Sequence, residues 1–325
     1  MEMKSSPRSP RPSPPERKPG MAVSGKPNYL DPHVLERIKR LDLRARLVVE
    51  GFINGLHESP YHGFAIEFAN HREYTPGDDI KHIDWKVWSK TDRFYIKEYE
   101  EETNLNCTII LDCSKSMDYG RAKGFSKFDY AATATASLTH LLQSQQDAVG
   151  LVTFSNQVDK NLRASSHPNH LKQVVHELEC TAPARETDIE DVFPTLAGQI
   201  RQRGLVVLVS DLFMELETLQ SALKQFRLRG HEVVVFHLMH DDELNFPFED
   251  NTLFKGLEVL KELHADPRAL RKAYLDVVGK YLDRVQKTCN GADVDYSLVN
   301  TKEHLDAVLS SYLSYRQRTG KRRRR

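Results

Sequence analysis

Apolar residues recur along the chain in two rhythms. Between residues 30 and 56, Val34, Ile38, Leu41, Ala45 and Val48 return at steps of three and four, which predicts an amphipathic helix. Further on, short aliphatic runs such as Leu205-Val206-Val207-Leu208-Val209 contain no polar residue. Runs of that kind suit strands buried on both faces. Strands are expected at 107–111, 149–154, 205–209, 233–238 and 294–299. Helices are expected at about 128–145, 168–178, 189–203, 216–228, 267–288 and 303–315. Strands that alternate with helices call for a mostly parallel sheet with right-handed crossovers. The pattern therefore predicts a doubly wound, Rossmann-type α/β domain over residues 106–315. No repeat of fixed period is visible.

The stretch before that domain reads differently. Phe64, Ile66 and Phe68 alternate as a half-buried strand does, and Phe94 and Ile96 repeat the pattern after a turn at Pro76-Gly77. These strands carry too few apolar residues for a core of their own. Residues 29–105 are thus expected to form an α+β extension packed on the main domain. Residues 1–28 hold seven of the fifteen prolines, and residues 316–325 hold seven Lys/Arg and no acid. Both ends are expected to be disordered, since neither can bury apolar surface.

Composition narrows the functional classes. The formal net charge is zero, so the chain as a whole is no polyanion binder. The basic tail lacks the aromatic residues that stack on bases, and no specific nucleic acid is expected as a partner. No apolar run is long enough for a membrane span, and the start lacks the apolar core of a signal peptide. Cys107, Cys113, Cys180 and Cys289 are scattered rather than spaced as a disulfide framework. A cytoplasmic location follows as the expectation. P-loop, His-Glu-x-x-His and Cys-x-x-Cys motifs are all lacking, so no ATP hydrolysis by a P-loop is expected.

Candidate chemistry gathers where the strands end. In an open parallel sheet, ligands sit outside the carboxyl ends of the strands. Asp112 closes the first strand of the main domain, with Ser114 and Ser116 in the loop behind it. Ser210-Asp211 closes the strand at 205–209, and Thr187 precedes a helix on the same edge. Two carboxylates and three hydroxyls form a hard-oxygen set suited to Mg²⁺ or Mn²⁺. Singly, each hydroxyl is better read as a helix cap; the combination on three loops carries the metal reading. Cys113, inside this motif, reads as a small buried thiol rather than a nucleophile. A second acidic cluster, Asp78, Asp79, His82 and Asp84, supports an alternative, a metal-dependent hydrolase. Its simpler reading is a structured turn whose acids pair with Arg72, Lys81, Lys86 or Arg93, packed by Trp85 and Trp88.

Asp112-x-Ser114-x-Ser116, a downstream threonine and a strand-terminal aspartate resemble the metal-ion-dependent adhesion site of von Willebrand factor A domains. The upstream block "HGFAIEFANHREYTPGDDIKHIDWKVWSKTDRFYIKEYEEETN" resembles the signature of the bacterial domain-of-unknown-function-58 family. The resemblance extends from about Leu30 to Tyr315. It implies a von Willebrand factor A-like fold and a divalent-metal site of Asp112, Ser114, Ser116, Thr187 and Asp211. It also implies a role in assisting a MoxR-type AAA+ ATPase, and the chain is expected to be a non-enzymatic docking module. One position departs from the family pattern: Glu186 stands where glycine usually precedes the threonine.

Overall fold

The computed structural model describes residues 32–35, 38–58, 70–73, 95–98, 105–121, 124–183, 192–200, 202–249, 252–254, 263–306 and 308–312. A short helix, α1 (Pro32–Leu35), precedes α2 (Leu41–Glu58), and β1 (Asn70–Glu73) pairs antiparallel with β2 (Tyr95–Glu98). The main unit follows as β3 (Asn106–Asp112), α3 (Lys127–Ser144), β4 (Ala148–Phe154), β5 (Val158–Ser165), α4 (His170–Cys180), α5 (Val192–Gln199), β6 (Leu205–Ser210), α6 (Leu216–Leu228) and β7 (Glu232–Met239). It closes with α7 (Asp241–Asn245), the antiparallel pair β8 (Thr252–Phe254) and β9 (Leu263–Ala265), α8 (Pro267–Gly291) and β10 (Asp295–Asn300).

Six strands form one sheet in the order β10-β7-β6-β3-β4-β5, parallel except for β5. Alternation along each strand sends side chains to two separate cores. Ile109, Leu111, Val207, Val209, Val234 and Phe236 face one, which α2, α3 and α4 cover. Ile110, Val206, Leu208, Val233 and Val235 face the other, under α5, α6 and α8. This is the doubly wound arrangement expected of aliphatic strands with a helix layer on each face. Ala45 and Val48, whose spacing predicted a helix, are buried by α2 in the first core, where α2 packs on α3.

Three features depart from the expected element pattern. Strand β5 was not anticipated, because its sequence VDKNLRAS is largely exposed and lacks an aliphatic run. It can be polar because it lies at an edge, with one neighbour instead of two. The helix expected over 189–203 spans Val192–Gln199, and Gly204 then enters β6 tight against β3. A Cβ at Gly204 would lie 2.1 Å from the carbonyl oxygen of Asn106, so no larger residue fits there. The short elements α7, β8 and β9 were also unforeseen.

The chain leaves β3 towards β4 on one side and enters β6 on the other. The carboxyl ends of β3 and β6 therefore flank the point where the sheet reverses its order. Such a point opens the crevice in which α/β proteins bind ligands. Asp112 and Asp211 stand at these two ends.

Candidate functional site

Strand β3 delivers Asp112 to the sheet edge almost wholly enclosed, with 1% of its surface exposed. Its Oδ1 accepts from the backbone N–H of Ser114 at 2.8 Å, a local turn that folds the loop back over the carboxylate. Its Oδ2 accepts from the Ser210 hydroxyl at 2.6 Å, which ties β3 to β6. Ser114 and Ser116 are buried, their hydroxyl oxygens 3.0 Å apart, and a turn of 3-10 helix at Lys115–Asp118 follows. Burial raises the Asp112 carboxyl to about 7, and the nearby charge of Asp211 adds to the rise.

Asp211 follows β6 and is equally enclosed, at 1% exposure. Its Oδ2 accepts from the Lys127 ammonium at 2.7 Å, and Oδ1 takes a longer 3.4 Å bond from the N–H of Phe213. Its backbone carbonyl accepts from His237 Nε2 at 2.9 Å. Burial lowers the His237 imidazolium to about 4, so the ring is neutral. With Nε2 donating, Nδ1 is left to accept from the Tyr296 hydroxyl at 2.9 Å. The next residue, Leu212, is fully buried and has φ of +54°, a conformation that costs a bulky residue energy. Its N–H donates to Ser210 Oγ at 2.9 Å, and its carbonyl accepts from the Tyr281 hydroxyl. These bonds hold the turn that aims Asp211.

Lys127 is the residue that motif reading passed over. It is the first residue of α3, whose Ser126 cap accepts from the N–H of Asp129 while the Asp129 side chain accepts from the N–H of Ser126. Its side chain is 0% exposed. The ammonium donates to Asp211 Oδ2 and to Glu243 Oε1, the latter at 2.9 Å, and lies 4.8 Å from the Phe213 ring centroid. Burial alone would favour the neutral amine, but the carboxylates of Asp211 and Glu243 outweigh it and raise the lysine. One signal was legible. A cation in the first turn of a helix opposes the macrodipole, so a lysine there needs a tertiary reason.

Of the five expected ligands, the structure brings Asp112, Ser114, Ser116 and Asp211 to one edge. Thr187 and its neighbour Glu186 lie outside the described residues, as do Asp78, Asp79, His82, Asp84, Trp85, Trp88 and the two termini. Among the described residues, no group of three or more His, Cys, Asp or Glu is placed to hold a metal. An ion would therefore depend on the serine hydroxyls. The donor chemistry fits a hard divalent cation: Asp112, Ser114 and Ser116 present oxygen only, and the mutual repulsion of Asp112 and Asp211 is relieved by positive charge. Cys113 is buried with its thiol pushed well above its ordinary range by burial, which removes it as a nucleophile at neutral pH. No described helix is long and apolar enough to cross a membrane.

The chain is 23% identical over 293 residues to an uncharacterized protein of Mycobacterium bovis, covering 89% of this chain and 91% of that one. Among solved structures it is similar to the conserved hypothetical protein BatB from Bacteroides thetaiotaomicron (TM-score 0.43, 16% identity, 65% of this chain and 99% of the other). It is also similar to the VWA domain of SpRpn10 (TM-score 0.38, 12% identity, 64% and 94%). Residues 70–280, well over half of the chain, match the family described as protein of unknown function DUF58, and the protein belongs to that family.

Proposed function

We propose that this protein is a non-enzymatic, cytoplasmic docking module that binds one Mg²⁺ or Mn²⁺ at the edge lined by Asp112, Ser114, Ser116, Asp211 and Thr187. Its partner in this reading is a MoxR-type AAA+ ATPase, which it serves in an assembly or maturation role. The observation that carries the reading is the enclosed Asp112, Ser114 and Ser116 set at the sheet's switch point, all oxygen donors, with Ser114 bonded to Asp112 and its hydroxyl 3.0 Å from that of Ser116. A divalent ion bound there supplies a Lewis-acidic position that an acidic side chain of a partner can fill. The serines are neutral, so they leave most of the ion's charge uncompensated. Ser210 and the Ser114 N–H fix the Asp112 carboxylate, so little ordering is needed when the partner arrives. Phe213, 44% exposed beside the site, offers an apolar rim for the same contact.

A pull-down with purified MoxR-type ATPase tests this. Capture should require Mg²⁺, vanish in EDTA, and vanish in an Asp112→Ala protein that retains native circular dichroism. Equal capture with and without the ion would overturn the metal-dependent docking. Turnover of generic phosphoesters in Mn²⁺ would overturn the non-enzymatic part.

A further inference from the structure

The cation already present at the site is Lys127. A buried ammonium that satisfies two carboxylates from separate loops is costly to assemble, since all three groups leave water. Here the carboxylates come from residues 84 and 116 positions away in the chain. The lysine also starts its helix where the dipole disfavours it. Burial, helix position and pairing thus all point to a specific task for this charge.

Its surroundings narrow the task. Glu243 uses Oε2 to accept from the N–H of His240 at 2.7 Å, which caps α7, so its Oε1 is presented rigidly to the lysine. The Phe213 ring lies over the ammonium at 4.8 Å, and the Tyr119 ring centroid is 6.0 Å away. Lys127 therefore grips Asp211 through Oδ2 and offsets much of its charge. Asp112, on the adjacent strand, is met by dipoles: the Ser114 amide and the Ser210 hydroxyl, with the Ser114 hydroxyl beside them.

We infer that Lys127 is a built-in competitor for Asp211, holding that carboxylate out of a divalent ion's ligand shell and so keeping the ion's affinity low and its coordination open to a partner. The inference rests on the proposed metal site and adds the residue that sets its strength. An ion seated on Asp112, Ser114 and Ser116 meets one full negative charge instead of two. Removing the ammonium releases the second, and the ion should then bind more tightly.

The test uses the full chain and Mn²⁺ as the probe, read by titration calorimetry and by thermal unfolding with and without the ion. Lys127→Met leaves two buried carboxylates unpaired and is at risk of unfolding. The double variant Lys127→Met/Glu243→Gln removes one charge of each sign and keeps the balance of the wild type. It should bind Mn²⁺ about tenfold more tightly or better, with a larger thermal shift, while Lys127→Arg stays within about threefold of the wild type. Asp112→Asn in the wild-type background reports on the site itself. If the wild type binds, Asp112→Asn does not, and the double variant gains nothing, the role of Lys127 is overturned and the metal site stands. If the wild type binds too weakly to measure but the double variant binds, the inference is supported. If neither binds Mn²⁺, the metal site and the inference fall together.

Discussion

Asp112 and Asp211 sit at the ends of adjacent parallel strands, equally buried, yet the chain treats them in opposite ways. Asp112 is held by the Ser114 N–H and by the hydroxyls of Ser210 and Ser114. Asp211 is held by an ammonium that a second carboxylate shares. Dipoles orient a carboxylate without neutralising it, whereas an ion pair offsets much of its charge. The first therefore retains an appetite for a cation and the second has spent it. Two residues that look alike in sequence acquire different work from the groups that surround them.

The comparison breaks most visibly when the partners are removed. Lys127→Met should cost roughly 3–5 kcal/mol, because two carboxylates are left buried without a counter-charge. Asp112→Asn in EDTA should cost less than about 1 kcal/mol, since the Ser210 hydroxyl can turn to accept and the repulsion from Asp211 is gone. Urea unfolding followed by circular dichroism measures both. Equal losses for the two would mean that the carboxylates are not distinguished in this way.

Metal sharpens the same contrast. An ion at a hundredfold excess over its Kd should stabilise the wild type by about 2.7 kcal/mol. A thermal scan in Mg²⁺ against EDTA reads this as an upward shift of Tm. The shift should be absent in Asp112→Ala, whose removal leaves the serines with no charged partner on that side.

A smaller effect is expected from Ser210→Ala. It deletes the hydroxyl that donates to Asp112 and accepts from the N–H of Leu212, leaving buried groups unsatisfied for roughly 1–3 kcal/mol. Because the same hydroxyl fixes the Asp112 carboxylate, the loss should also weaken Mn²⁺ binding measurably in calorimetry.

The smallest effect belongs to Cys113→Ser. The residue lies between two ligand positions in sequence, but its side chain is buried in the core and its Sγ donates weakly to the Leu111 carbonyl at 3.7 Å. Mn²⁺ affinity should stay within about twofold, and the cost to stability should remain near 1 kcal/mol. In the native protein a thiol reagent at neutral pH should label exposed Cys180 quickly, and Cys113 and Cys289 only on unfolding. Burial pushes the Cys289 thiol up to about 12 and leaves little thiolate to react.

The aliphatic runs at β3, β4, β6 and β7 were legible because a strand enclosed on both faces tolerates nothing else. The polar edge strand β5 was not, because one exposed side frees it from that constraint. Asp112, Ser114 and Ser116 were legible for a different reason. Their spacing is a property of one short loop, and the turn from the Ser114 N–H to Asp112 closes within three residues. Lys127 and Glu243 belong to no local motif. One heads α3, and the other is the last of three acids, Asp241-Asp242-Glu243, in α7, a helix the sequence pattern did not announce.

The sequence by itself determined the alternation of strands and helices, the two-sided burial of the sheet and the hard-oxygen character of the β3 loop. Each follows from residues close together in the chain, where periodicity and turn chemistry act. Only the tertiary structure decided which carboxylate would be neutralised. That choice depends on where a four-carbon side chain at the head of α3 can reach once β6 and α7 are packed beside it. Charge pairing falls off with distance through space and not along the chain, so no local pattern could encode it.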